Sequence, residues 1–461
     1  MGRPRMRTGM AVAGGMLLAG VMSTPAHAVT PVSCSTAALI TAITNANAGT
    51  GDTLSLTSHC VYTLTDADGS LPTITKPLVI QGHHATIRRD PAATTDFRIF
   101  RVGATSLTMD TLSVKNGNAG AGPGGGVLLN TTGASLTATG VIFQGNTASS
   151  GGGITAGPHT TLSLTGSTIE DNQAPNGGGG ILAFGAAAVT LNSVTVSGNQ
   201  TNGVGGGLEF SSVSSPASIT HSVISHNTAQ LEAGGIYYNG SSSLSATGTV
   251  IAGNRVTNST LGGGGILFNP LAGGSVTIAD STISHNTVTG WTTPDGLSNR
   301  GGGIFSLGSS LTLNNTRVTG NRLIGTSGQG AGIAAEGLLS AATLTLGNGT
   351  LVVGNIAYGQ NAQGGGLYTD SNADGVTVSV NGSHIDANKV RGTGSAAAGI
   401  FNLDGTFSFA TSSVNNNSAP NAPGGVSTTV PITTVDGATT FTGNTPTNCS
   451  LSPAPVTNCT G

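Results

Sequence analysis

Apolar and polar residues alternate in short runs along the chain: Leu136-Thr-Ala-Thr139, Leu162-Ser-Leu-Thr165, Val276-Thr-Ile278, Leu344-Thr-Leu346 and Val376-Thr-Val-Ser-Val380. A period of two marks strands with one buried face. No helical periodicity of useful length follows residue 60. Two phrases punctuate the strands in strict alternation, eleven of each. One is a Gly cluster running into an aliphatic residue, from Val127 and Ile154 through Ile333 and Leu367 to Val426. The other is an aliphatic or Phe followed three positions later by Asn, from Asn146 and Asn172 to Asn417 and Asn444. Repetition at this length predicts a solenoid. Short strands joined by turns predict an all-β parallel β-helix. Roughly twelve coils at about 4.8 Å each give a rod near 60 Å.

Each phrase has a mechanical reason. Stacked Asn side chains can hydrogen-bond along a ladder, and Asn tolerates the left-handed backbone of a sharp corner. Gly supplies positive φ and close backbone approach at another corner. A phosphate-cradling loop occurs once, before a helix and with a Lys, so eleven Gly corners without helices are structural. The calcium-binding Gly-rich nonapeptide needs an Asp shortly after its glycines; only Leu367-Tyr-Thr-Asp370 approaches that.

Composition narrows the setting. Only 7% of residues are charged, while 37% are hydrophobic and recur in register, which favours a folded core. The 75 glycines lack the three-residue period of collagen. Arg3, Arg5 and Arg7, the apolar run Ala11 to Met22 and Ala26-His27-Ala28 predict a secretory signal peptide at 1–28, cleaved after Ala28. Without those arginines, 12 basic residues face 18 acidic ones, a net of −6. No basic patch with interleaved aromatics occurs, so nucleic acid is not an expected partner, and no membrane anchor, metal or cofactor is expected. Residues 29–75 read as an N-terminal cap with the first strands, 76–445 as the repeats and 446–461 as a tail. The cysteines Cys34, Cys60, Cys449 and Cys459 allow three pairings, of which proximity favours Cys34–Cys60 and Cys449–Cys459.

Phe143-Gln-Gly-Asn146 and Phe441-Thr-Gly-Asn444 resemble the F-x-x-N signature of chlamydial-type polymorphic outer membrane proteins, whose second signature is GGA-aliphatic. Other coils carry Ile or Val in place of Phe. The resemblance covers roughly 110–445. The segment Cys34-Ser-Thr-Ala-Ala-Leu-Ile-Thr-Ala-Ile-Thr-Asn-Ala-Asn47, then Gly51-Asp-Thr-Leu54, resembles the CSLREA-type segment of secreted bacterial β-helices. Leu39, Ile40 and Ile43 fall on one face of a short helix that would cover the open first coil. The resemblance implies a secreted, adhesin-like, right-handed parallel β-helix of the pectin-lyase-like kind. Those outer membrane proteins end in a membrane barrel, whereas this chain ends soon after its last coil, so barrel anchoring is not expected.

The strongest expectation is a monomeric extracellular surface that binds a glycan or a cell-surface protein; the alternative is a polysaccharide lyase or glycoside hydrolase. Three residues past the Gly-phrase aliphatic, adjacent coils place Glu336 and Asp370 at equivalent positions. Such a pair could serve acid–base chemistry or bind a cation. The position just after the aliphatic reads Tyr237, Leu267, Phe305, Ala334, Tyr368 and Phe401 over six successive coils. A regular strand would turn it outward, as a ladder for sugars. From each Asn to the next aliphatic the chain runs 8 or 9 residues in early coils, then 12, 18, 12, 12 and 12, then 9. The longest insertion holds Trp291, the only Trp. Arg255, Arg322 and Lys389 follow the repeat Asn on alternate coils and read as an exposed edge. His226 and His285, two coils apart, are too distant for one metal site and read as corner residues.

Overall fold

A computed structural model describes residues 29–461 except 186, 260, 270–273, 291–298, 339 and 372–373. The expected leader and Trp291 therefore lie outside the described residues. The chain winds as a parallel β-solenoid of about thirteen turns, one more than the repeat count suggests.

One turn shows the path. Ile154–Ala156 lies in a twelve-stranded sheet. Thr161–Thr165 and Thr168–Glu170 follow in a long sheet of 25 strands. After Asn172 the chain enters a sheet of eight very short strands at Gln173–Ala174. A Gly corner returns it to Ile181–Phe184, which pairs in register with Ile154–Ala156. The inward aliphatic residues thus stack on their equivalents. Leu136, Leu162, Leu164, Leu191 and Leu313 are all 0% exposed. One continuous core runs from Val32 to Val456, with Phe210, Tyr238 and Phe268 forming an aromatic stack inside it.

The Asn ladder is real and fully internal. Asn172 donates its side-chain N–H to Asn199 Oδ1 at 3.0 Å, and its backbone N–H reaches the same oxygen at 3.0 Å. It also donates to the Phe143 carbonyl at 3.0 Å. This unit recurs from Asn146 through Asn417, and Asn444 passes the ladder to Asn448. The left-handed residue, however, is the one before the Asn: Asp171, His226 and His285 each have φ 55°. That corrects the conformational role expected for Asn and gives those His residues a structural place. The two phrases meet in space. A Cβ on Gly153 would sit 2.8 Å from the Gly180 carbonyl oxygen and 3.2 Å from the Asn172 amide. Only glycine leaves room for the ladder there.

Both ends are closed. Helix Thr36–Ala48 starts at Ser35, whose hydroxyl accepts the Ala38 N–H, and buries Leu39, Ala42, Ile43 and Ala46. Ile40 is only partly buried against the core. Cys34 bonds Cys60, and Cys449 bonds Cys459, as proximity favoured.

Candidate functional site: two outward faces of the solenoid

The outer face of the twelve-stranded sheet carries the expected carboxylates. Ile333–Glu336 and Leu367–Asp370 pair so that Glu336 stands directly opposite Asp370. The register inferred from the repeat therefore holds. What the register does not reveal is burial: Glu336 is 0% exposed and Asp370 7%. Arg300, at the entrance of a Gly corner, forms an ion pair with Glu336. Its Nε–H also points to Gln329 Oε1 at 3.1 Å, and Glu336 Oε1 is the oxygen in ionic contact with Arg300. The Tyr368 hydroxyl lies 3.3 Å from Asp370 Oδ2.

Burial pushes the Glu336 carboxyl up to about 7; the neighbouring Asp370 pushes the same way and Arg300 opposes both. Burial also raises the Tyr368 phenol. Glu209, one residue past its aliphatic, is likewise raised by burial to about 7. It faces Tyr237 on the next coil, whose phenol burial also raises. The sequence offered no sign of Glu209 as more than an isolated acid. Arg300 was missed as well, although it occupies the same pre-glycine position as Gln329 and Gln363, with which it stacks.

A group whose folded pKa is raised binds its proton more tightly when folded. Stability is then greatest below the ordinary carboxylate range and declines as pH rises toward about 7. Glu336→Gln should remove this part of the decline, worth up to about 3 kcal/mol. Denaturant midpoints of both proteins at pH 5 and pH 8 check it. Parallel pH dependence in the two would contradict the assignment.

The expected aromatic ladder is corrected. Phe305 is 0% exposed and Tyr368 2%. With Leu267, Leu307 and Ala334 they form a second apolar cluster, outside the main core. Tyr237, Leu261 and Phe401, packed against it, are partly exposed; the Tyr368 and Phe401 rings stack at 5.7 Å. These positions do point away from the main core, but the Gly corner of each coil folds back over them. A Cβ on Gly263 would lie 2.6 Å from Leu267 Cβ, and one on Gly330 2.9 Å from Ala334 Cβ.

The outer face of the eight-stranded sheet is different, because its side chains stand in solvent. Gln173, Gln200, Thr228, Arg255, Thr287 and Arg322 follow one another in register, one per coil. In four of the five coils with long insertions these strands gain a third residue: Thr287–Thr289, Arg322–Ile324, Ile356–Tyr358 and Lys389–Arg391. Three hollows lie along this face. One is bordered by Gln173, Gln200, Thr228 and Gln230, the next by Arg255, Thr287, Arg322 and Ile324, the last by Lys389, Arg391, Ser418 and Pro420. The inward residue of each strand is short or branched, such as Ala174, Val256 and Ala357, and from Val256 onward these residues pack in an apolar cluster of their own.

A parallel solenoid with these three faces and an internal Asn ladder is a right-handed β-helix. The chain matches the right handed beta helix region family over residues 103–337, more than half its length, and belongs to that family. A solved structure of a double mutant of the tailspike protein of E. coli bacteriophage HK620 covers 91% of this chain and 76% of its own, at 13% identity and a TM-score of 0.28. No curated protein matches the chain.

Proposed function

We propose that this protein is a secreted extracellular β-helix that holds a polysaccharide along the outer face of its eight-stranded sheet without cleaving it. The observation that carries this reading is the row of outward side chains, one per coil from Gln173 to Lys389 and polar in every coil but that of Ile356, along which three hollows lie. A repeating ligand suits a repeating surface, because each coil adds one outward side chain to the same row. The two disulfides accord with an oxidising compartment. The leader-like residues 1–28 and the CSLREA-like segment at Cys34 support secretion. The acid pair argues for binding over cleavage. A glycosidase must bring two carboxyl groups to the scissile bond, and Glu336 is enclosed by protein and held by Arg300. A glycan array with the mature protein tests the reading. Retention of long oligosaccharides over short ones is expected. Retention of none would end the glycan reading and turn attention to protein ligands.

A further inference from the structure

Resting on that reading, we infer the chemical class of the ligand: an acidic polysaccharide with one carboxylate per disaccharide, laid parallel to the solenoid axis. Beyond residue 115 the chain has only six Lys and Arg residues, and four of them, Arg255, Arg322, Lys389 and Arg391, stand exposed on this one face. No Asp or Glu occupies an outward strand position there among the described residues. The opposite tendency rules the twelve-stranded sheet, which carries Glu209, Glu336 and Asp370. The charge is therefore sorted by face in a chain with little charge to spare, and a positive face concentrates an anionic polymer.

The spacing refines the class. In register, Arg255 is followed by Thr287, Arg322, Ile356 and Lys389. Cation and neutral residue alternate, so the cations recur every two coils, about 9.6 Å apart. Nucleic acid presents a charge about every 3.4 Å along each strand, far denser than this row. A glycan that alternates an acidic and a neutral sugar has its carboxylates on the scale of a disaccharide, which matches the two-coil step. The adjoining row gives the neutral sugar a surface: Ile324 is 41% exposed, and half-buried Tyr358 lies beside it in register. An aromatic ring and an aliphatic side chain can cover the apolar face of a sugar ring while its hydroxyls reach Thr287 and Thr289.

Affinity electrophoresis tests this with the mature protein and four probes: hyaluronan, with one glucuronate per disaccharide; polygalacturonate, with one carboxylate per sugar; neutral dextran; and single-stranded DNA. Hyaluronan should retard the protein most, and added salt should weaken it. The triple variant Arg255→Gln, Arg322→Gln, Lys389→Gln should lose at least about thirtyfold in affinity. All three side chains are exposed, so its thermal midpoint should stay near that of the parent. A second variant, Thr287→Arg with Ile356→Lys, fills the gaps and should shift preference toward polygalacturonate. Unchanged binding by the triple variant overturns the inference. So does tighter retention by dextran, DNA or polygalacturonate in the parent protein; retention by dextran alone would leave glycan binding standing. Retention by none of the three polysaccharides would sink the underlying reading too.

Discussion

Replacing Asn321 by Ala should cost about 5 kcal/mol, the largest effect expected of any single amide in the protein. The Asn321 side chain donates to the Ile283 carbonyl and to Asn355 Oδ1, each at 3.0 Å. Its Oδ1 accepts the backbone N–H and the side-chain N–H of Asn286, each at 3.0 Å. All are buried, and Asn321, Asn286 and Asn355 are each 0% exposed. Alanine strands the Ile283 carbonyl, the Asn286 backbone N–H and one Asn286 side-chain N–H at once. Each unmet buried group costs about 1–3 kcal/mol. Because coils contact only their neighbours, the loss should first appear locally. Hydrogen exchange should accelerate around Asn286, Asn321 and Asn355 before the ends are affected, and the urea midpoint should fall. A loss below about 1 kcal/mol would mean that the amides do not hold this corner.

The second large effect concerns the N-terminal closure. Cys34→Ser with Cys60→Ser opens a loop of 26 residues, for which loop entropy alone predicts a loss of about 3 to 4 kcal/mol. The position of the bond adds a consequence. Cys34 lies between strand Val29–Val32 and helix Thr36–Ala48, which together close the first coil. Freeing them bares the edge of Asp52–Leu56, which Val29–Val32 otherwise covers in register, and a bare parallel edge invites another chain. The variant should therefore melt earlier and self-associate, as read by thermal scans and sedimentation. The Cys449–Cys459 bond spans only 10 residues, and its removal should cost less. Equal losses at the two ends would contradict this ordering.

Much of the fold was legible because a solenoid repeats its reasons. The inward aliphatics, the Asn ladder and the register that sets Glu336 opposite Asp370 each follow from spacing alone. Burial on the outward side did not follow. Phe305 and Tyr368 alternate as outward strand residues should, yet their own Gly corners fold over them, and a two-residue periodicity says nothing about what packs on its far side. Arg300 was invisible for a related reason: it lies outside every strand and reaches Glu336 from the next coil back. The left-handed position passed from Asn to its predecessor because the Asn side chain is engaged in the ladder, while Asp171 and His226 are free to bend. The basic row Arg255, Arg322 and Lys389 was read as an edge; its place beside two of the three hollows needed the structure.

On the proposed function, this β-helix holds its polysaccharide intact. The most direct measurement is the chain-length distribution of hyaluronan after prolonged incubation with stoichiometric protein, followed by size-exclusion light scattering at pH 5 and pH 8. The polymer should co-elute with the protein and, once released by salt, keep its original length at both pH values. Shortened chains that persist in the parent protein but vanish in Glu336→Gln would contradict it and place cleavage at the buried acid pair.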